Sequence, residues 1–167
     1  MKFSATTAIL FVLGIARALP TEVESRGTPS NEPITLEHEP DQSKSFKCGT
    51  HTYTGHDIYI AAQRGVALQE ISDTRGKNKY PHAFDNDDSK GNKLTFPSYC
   101  PADKNRQEFP LINNGPYDGG KNNVKQGDER VVYYYEEGEV DNDGHAKAYY
   151  CGIMTHVGAP TGGFLLC

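Results

Sequence analysis

The feature that most constrains this chain is the number and placement of its cysteines. All four of them, Cys48, Cys100, Cys151 and Cys167, lie beyond residue 47, downstream of a start that reads as an export signal. That start has Lys2, an apolar run from Ala8 to Ile15, and small residues at Ala16 and Ala18, the pattern of a signal peptide cut after Ala18. The apolar run is too short for a membrane-spanning helix, which needs about 20 residues. The expectation is a signal peptide over 1–18 and a secreted, extracellular protein with no membrane anchor. In an oxidising compartment four cysteines form two disulfides. They allow three pairings, and spacing alone does not choose among them. No C-x-x-C pair occurs, so a structural zinc site has little support, and no metal or cofactor is expected.

Without Lys2 and Arg17 the chain keeps 15 basic residues against 22 acidic ones, a net charge of about −7. That excludes the coat of lysine and arginine by which proteins hold nucleic acid non-specifically. Any polyanionic substrate must be gripped by a few placed groups and released quickly. Residues 19–45 contain Pro20, Pro29, Pro33 and Pro40, six acids and few apolar side chains, a composition that reads as a disordered leader or propeptide. The folded unit is expected over 46–167, roughly 120 residues, enough for one domain with a modest core. A monomer is expected.

Within that unit, Thr54 or Asp57 can cap a helix whose apolar positions, Ile58, Ala61, Ala62, Leu68 and Ile71, keep helical spacing up to a stop near Gly76. The remainder reads as short strands: Tyr80 to Phe84, Gln107 to Ile112, Arg130 to Tyr135, and Ala148 to His156. The acidic stretch EEGEVDNDGH reads as an exposed connection between the last two. The predicted fold class is α+β, with one helix packed on a central antiparallel sheet.

Four polar residues fall in mainly apolar, strand-like settings, where burial is costly unless each is well paired or has a task. They are His82 in KYPHAFDN, Glu108 in QEFPLI, Arg130 in ERVVYYY and His156 in CGIMTHVGA. Any one alone reads most simply as a polar residue on the solvent face of a half-exposed strand. Together they are the parts of one reaction. Attack of a ribose 2′-hydroxyl on the adjacent phosphate needs a base for that proton, an acid for the departing 5′-oxygen, and cations facing the phosphorane.

The strings YPHAFDN, EFPLINNGPY, ERVVYYY and CGIMTHVGAPTGGFLLC, in order between Cys48 and Cys167, resemble those of the fungal extracellular guanyl-specific and purine-preferring ribonucleases. That family also contains the ribotoxins such as sarcin. The resemblance implies an endoribonuclease cutting single-stranded RNA through a 2′,3′-cyclic phosphate, later hydrolysed to a 3′-phosphate. It implies Glu108 as general base and His156 as general acid, with Arg130 and His82 flanking the phosphate and His82 able to assist or replace the base. Tyr80 would donate its hydroxyl to a phosphate oxygen, and Phe164 matches the family's aromatic beside the phosphate. The same alignment pairs Cys48 with Cys167 and Cys100 with Cys151.

The resemblance also places the base-reading loop over Phe84 to Gly91. Phe84 would stack on the base, Asp85 and Asn86 would contribute to the loop's polar contacts, and Asp88 falls where the family has a carboxylate for the base edge. Two positions depart from the pattern: Asp87 replaces the second stacking aromatic, and Asp88 is shorter than the usual glutamate. Purine preference with a leaning to guanine is the expectation. His51, His56 and His145 show no spacing that links them as metal ligands, and Tyr133 to Tyr135 read as strand core alternating with surface. Two other functions use the same parts. A ribotoxin would cut one ribosomal RNA loop, but the segment from Gly91 to Gln107 is short and the 46–167 unit holds 13 basic and 16 acidic residues, unlike the lysine-rich loops of that branch. An inactive RNA-binding relative would be expected to have lost the acid or base, and Glu108, Arg130 and His156 are all present.

Overall fold

The computed structural model describes residues 31–88, 90–100 and 105–167. The proposed signal peptide and residues 19–30 of the proposed leader lie outside the described residues. Strands β1 (Thr35–Glu37), β2 (Ser45–Cys48) and β3 (His51–Thr54) precede helix α1 (Gly55–Glu70). Then come β4 (His82–Ala83), β5 (Gln107–Pro110), β6 (Glu129–Val140), β7 (Ala146–Thr155) and β8 (Leu165–Leu166). The main sheet runs β1-β7-β6-β5-β4 with β8 also on β7, and β2 and β3 form a separate hairpin. The class is α+β, with one α-helix on a sheet that is antiparallel except where β1 joins β7 in parallel.

The helix starts where the sequence indicates. Thr54 accepts from Asp57 N through its hydroxyl at 3.1 Å, and Asp57 accepts from Thr54 N at 2.8 Å, closing a capping box. It ends at Glu70, short of Gly76: Ser72, at φ 51°, adopts the left-handed conformation, and Asp73 N reaches back to Leu68 O at 2.9 Å. That turn satisfies the last carbonyls without a glycine. Ile58, Ala62, Val66 and Leu68 bury against the sheet. Gly65 lets the helix sit on Tyr133, since a Cβ there would clash with the Tyr133 hydroxyl.

β6 explains the sheet's second covered face. Val131, Tyr133 and Tyr135 pack under the helix, while Val132 and Tyr134 join Cys100, Cys151 and Met154 in a smaller cluster on the other side. The tyrosine run is therefore buried on both faces rather than alternating with surface. β6 and β7 also extend into the acidic stretch, leaving only 141–145 as the connection.

Residues 31–45 are ordered, which corrects the boundary of the leader. Ile34 and Leu36 enter the core, and β1 covers the outer edge of β7. Their short apolar alternation in PITLE is lost in a composition averaged over 27 residues. The disulfides join Cys48 to Cys167 and Cys100 to Cys151, so both implied pairings are present. Among the described residues, no helix is long and apolar enough to cross a membrane.

Candidate active site

Antiparallel pairing brings the first two site residues together. His82 on β4 lies opposite Glu108 on β5, and His82 Nε2 is 3.1 Å from Glu108 Oε1. His82 Nδ1 lies 3.0 Å from the Ala83 carbonyl, which can only accept, so Nδ1 carries a proton. Nε2 then either donates to the Glu108 carboxylate as part of an imidazolium, or accepts from a protonated Glu108. The other Glu108 oxygen, Oε2, is buried, in a residue only 5% exposed, and has no hydrogen-bond partner among the described residues. Burial raises the Glu108 pKa above its ordinary value, and the Asp85 charge adds to this, while His82 and Arg130 oppose it.

Arg130 on β6 is 2% exposed and held from several sides. Its Nη1 donates to the carbonyls of Gln126, Gly127 and Glu129 at 3.3, 3.0 and 2.7 Å. Its Nε donates to the Tyr80 hydroxyl at 3.1 Å, and the guanidinium carbon sits 5.0 Å from the Tyr80 ring centre. Because the Tyr80 oxygen accepts from arginine, its own proton is free to be donated elsewhere. The Tyr80 ring stacks on His82 at 4.7 Å, so Tyr80, His82, Glu108 and Arg130 form one contiguous group.

His156 reaches the same face through an irregularity in β7. Val132 pairs with Gly152 but Tyr133 pairs with Tyr150, leaving Cys151 as an extra residue, a β-bulge. Before the bulge Ala148 and Tyr150 face the helix; after it Ile153 does, and Met154 lies opposite Arg130 on the open face. Alternation then puts His156 on that open face, where unbroken alternation would have turned it towards the helix. His156 N bonds Asp128 O at 3.0 Å, and its ring is fixed by Nδ1 donating to Gly163 O at 2.7 Å and by stacking on Phe164 at 3.7 Å. Nε2 is left for chemistry. Glu108 and His156 thus flank β6 from its two sides.

Phe84, Asn86, Asp88 and Phe164 line one cavity of about 210 Å³, with Asp87, Asn92, Lys93, Leu94, Pro160 and Gly163. The volume suits a single base rather than a larger ligand, for which roughly 300–1,000 Å³ is usual. Phe84 meets Phe164 edge to face at 5.6 Å. Asn86, at φ 52°, fixes the loop by donating to Leu94 O and accepting from Leu94 N, both at 2.8 Å. Asp85 is exposed and faces a neighbouring cleft instead. The Asp88 carboxylate is largely occupied by its own loop: Oδ1 accepts from Lys90 N and Asn92 N, and Oδ2 from Asn92 Nδ2, all at 2.8 Å. These bonds, the Asn92 side chain foremost, hold its pKa below the usual aspartate value.

Several contributors escaped the sequence reading. Gly163 is one, and its role has a local reason: a Cβ there would lie 3.1 Å from the Asp88 Cβ and 3.3 Å from Pro160 O. Glu129 is another, fully buried beneath the site, accepting from the hydroxyls of Tyr53 at 3.2 Å and Thr155 at 3.3 Å. Thr155 in turn accepts from Val157 N at 3.0 Å, so the network braces the residues on both sides of His156. Asp141, Asp143 and His145 do gather within 4.8 Å. The Asp141 Oδ1 there accepts the backbone N–H groups of Asp143 and His145 at 2.9 Å, which close the hairpin turn.

The sequence matches a family model described as ribonuclease over residues 41–167. It is 28% identical over 128 residues to guanyl-specific ribonuclease T1 of Aspergillus oryzae, covering 76% of this chain and 81% of that protein. It is 30% identical over 123 residues to guanyl-specific ribonuclease C2 of Aspergillus clavatus, covering 73% of this chain and 76% of the relative. Guanyl-specific ribonuclease N1 of Neurospora crassa aligns over 170 residues at 26% identity, 98% of this chain and 96% of the relative. A match over three quarters of the length, on the helix and sheet just described, places this chain in the ribonuclease family.

Proposed function

We propose that this chain is a secreted endoribonuclease that cleaves single-stranded RNA after purines, guanine foremost, by 2′-hydroxyl attack on the adjacent phosphate. Glu108 takes the 2′-hydroxyl proton and His156, through Nε2, protonates the departing 5′-oxygen. The product is a 2′,3′-cyclic phosphate, hydrolysed in a second step with the two roles exchanged. Arg130, the Tyr80 hydroxyl and His82 face the phosphate, whose charge rises in the transition state. The observation that carries this reading is the buried Glu108 Oε2, without a partner among the described residues, next to His82 and Arg130 and across β6 from His156. None of these steps calls on a metal.

Purine preference draws on the loop. Relatives named guanyl-specific support guanine. A carboxylate has roughly four acceptor sites, and three at Asp88 are already used. About one remains for a base edge, so discrimination of guanine from adenine is weaker than a free carboxylate would give. With Asp87 in place of a ring, the base stacks on one side only, at Phe84.

The test is turnover of guanylyl-, adenylyl- and pyrimidine-containing dinucleoside phosphates alongside intact ribosomes. Cleavage after guanine and adenine, with guanine faster, is expected. A single ribosomal fragment with little dinucleotide turnover identifies a ribotoxin instead, and RNA binding with no turnover identifies an inactive relative.

Glu108 also gives a pH signature. With its folded pKa raised, the acidic limb of kcat/KM falls above the ordinary carboxylate value of 4.5. For stability the sign is the opposite of an ion-paired carboxylate: the favourable protonated form is fully present below about pH 4, and its contribution is lost as pH rises through the raised value. Glu108→Gln is therefore expected to melt at a higher temperature than wild type at neutral pH, with the difference closing below about pH 4. Thermal melts across that range check it; a variant less stable at neutral pH contradicts it.

A further inference from the structure

Arg106 is a buried cation with no part in the cleavage chemistry. It immediately precedes β5, and its carbonyl continues the ladder by accepting from Phe84 N at 2.8 Å. Alternation puts its side chain on the same face as Glu108, two residues further on. The residue is 7% exposed. Its Nε donates to Cys100 Sγ at 3.1 Å and its Nη2 to Cys100 O at 3.4 Å, and the guanidinium lies 4.6 Å from the Phe96 ring centre. Among the described residues no carboxylate pairs with it. A sulfur, a long carbonyl bond and a ring face compensate a buried charge poorly; with the Nε and one Nη2 hydrogen turned to Cys100, the outer Nη1–Nη2 edge is the one suited to an anion's oxygens.

Arg106 lines a cleft of about 590 Å³ with Thr95, Ser98, Asn105 and Lys93, and Asp85 is the one acid on its described wall. Phe84, Asn86, Lys93 and Leu94 line both this cleft and the smaller base cavity, so the two adjoin at the Asn86–Leu94 clamp. A nucleotide whose base fills the cavity has two phosphodiesters. The 3′ one belongs to the Glu108 and His156 face, which leaves the 5′ one free to reach across the clamp.

We propose that this cleft is a subsite for the phosphate on the 5′ side of the bound purine nucleotide, with Arg106 and Lys93 as its cations. The proposal rests on the reading of the base cavity given above. It also accounts for how a chain of net negative charge grips a polyanion: at built positions, one per phosphate.

The test compares guanylyl-uridine with the same dinucleotide bearing a 5′-phosphate. Wild type is expected to cleave the phosphorylated form with kcat/KM about tenfold higher, the scale of one charge-assisted hydrogen-bonded contact. Arg106→Gln removes that preference and leaves the unphosphorylated substrate within about twofold. Equal rates in wild type, or a preference that survives Arg106→Gln, overturns the proposal. If the variant fails to fold, the wild-type protein decides. The Arg106 Nε–H resonance is then expected to shift saturably with the 5′-phosphorylated 2′-deoxy dinucleotide and not with its unphosphorylated counterpart; no such difference overturns the site. Absence of cleavage of either ribodinucleotide contradicts the functional reading instead, and inorganic phosphate then tests the site alone: a saturable shift supports it and no shift overturns it.

Discussion

Replacing His156 by alanine is expected to lower kcat/KM on guanylyl dinucleotides by about 10²–10⁴-fold, the usual contribution of a general acid, with little change in melting temperature. The ring is exposed and stacks only on Phe164, so few buried contacts are lost. The Gly163 carbonyl holds the proton on Nδ1, which leaves Nε2 for the proton transfer proposed above. No other imidazole among the described residues stands on that side of β6 within this site. The matching Glu108→Ala variant is expected to lose less, because His82 Nε2 is already 3.1 Å from the carboxylate and can accept the 2′-hydroxyl proton. Loss of both His82 and Glu108 then costs far more than the single losses suggest. Steady-state kinetics on the three variants check this. A His156→Ala enzyme with wild-type turnover contradicts the assignment of the acid.

Arg130 is expected to matter twice. Arg130→Ala removes the donor to three backbone carbonyls and to the Tyr80 hydroxyl, and takes away the cation that opposes the raised Glu108 pKa. The cost is about 3–5 kcal/mol of stability, a fall in melting temperature of roughly 10–20 °C for a domain of this size. Activity measured well below the melting point falls further, by about 10²–10³-fold, the scale for losing a preplaced electrostatic donor. Arg130→Lys rescues neither in full, since an ammonium cannot present the fork that binds Tyr80 and the 126–129 carbonyls together. Calorimetry with kinetics at low temperature separates the two losses. Full stability in Arg130→Ala contradicts the packing argument, and full activity contradicts the electrostatic one.

The parts of the site that were legible in the sequence are those carried by contiguous strings. YPHAFDN and QEFPLI each contain one half of the His82–Glu108 pair, and strand alternation makes their meeting natural. Thr54 and Asp57 announced the start of the helix because a cap is a local arrangement. What stayed hidden depends on register between distant segments. The one local mark of the bulge is Gly152, an isolated glycine in a strand at φ 153° beside Cys151, and it does not say that the extra residue turns His156 to the other face. The end of the helix was misread because Ser72 adopts a conformation expected of glycine. Likewise β1 escaped notice, since three residues of alternation sit within a proline-rich, acidic stretch. The Asp88 side chain shows the same limit. Its position was readable, but its commitment to Lys90 and Asn92 within the loop was not.

Under the proposed function RNA is cleaved through its own 2′-hydroxyl, with Glu108 and His156 moving the protons. A time course of guanylyl-uridine products in the presence of a chelator, run beside the 2′-deoxy analogue, is the decisive measurement. The expected result is transient guanosine 2′,3′-cyclic phosphate, followed by guanosine 3′-phosphate, with the deoxy analogue left intact. Direct formation of the 3′-phosphate without the cyclic species, or cleavage of the deoxy analogue, rules out attack by the 2′-hydroxyl.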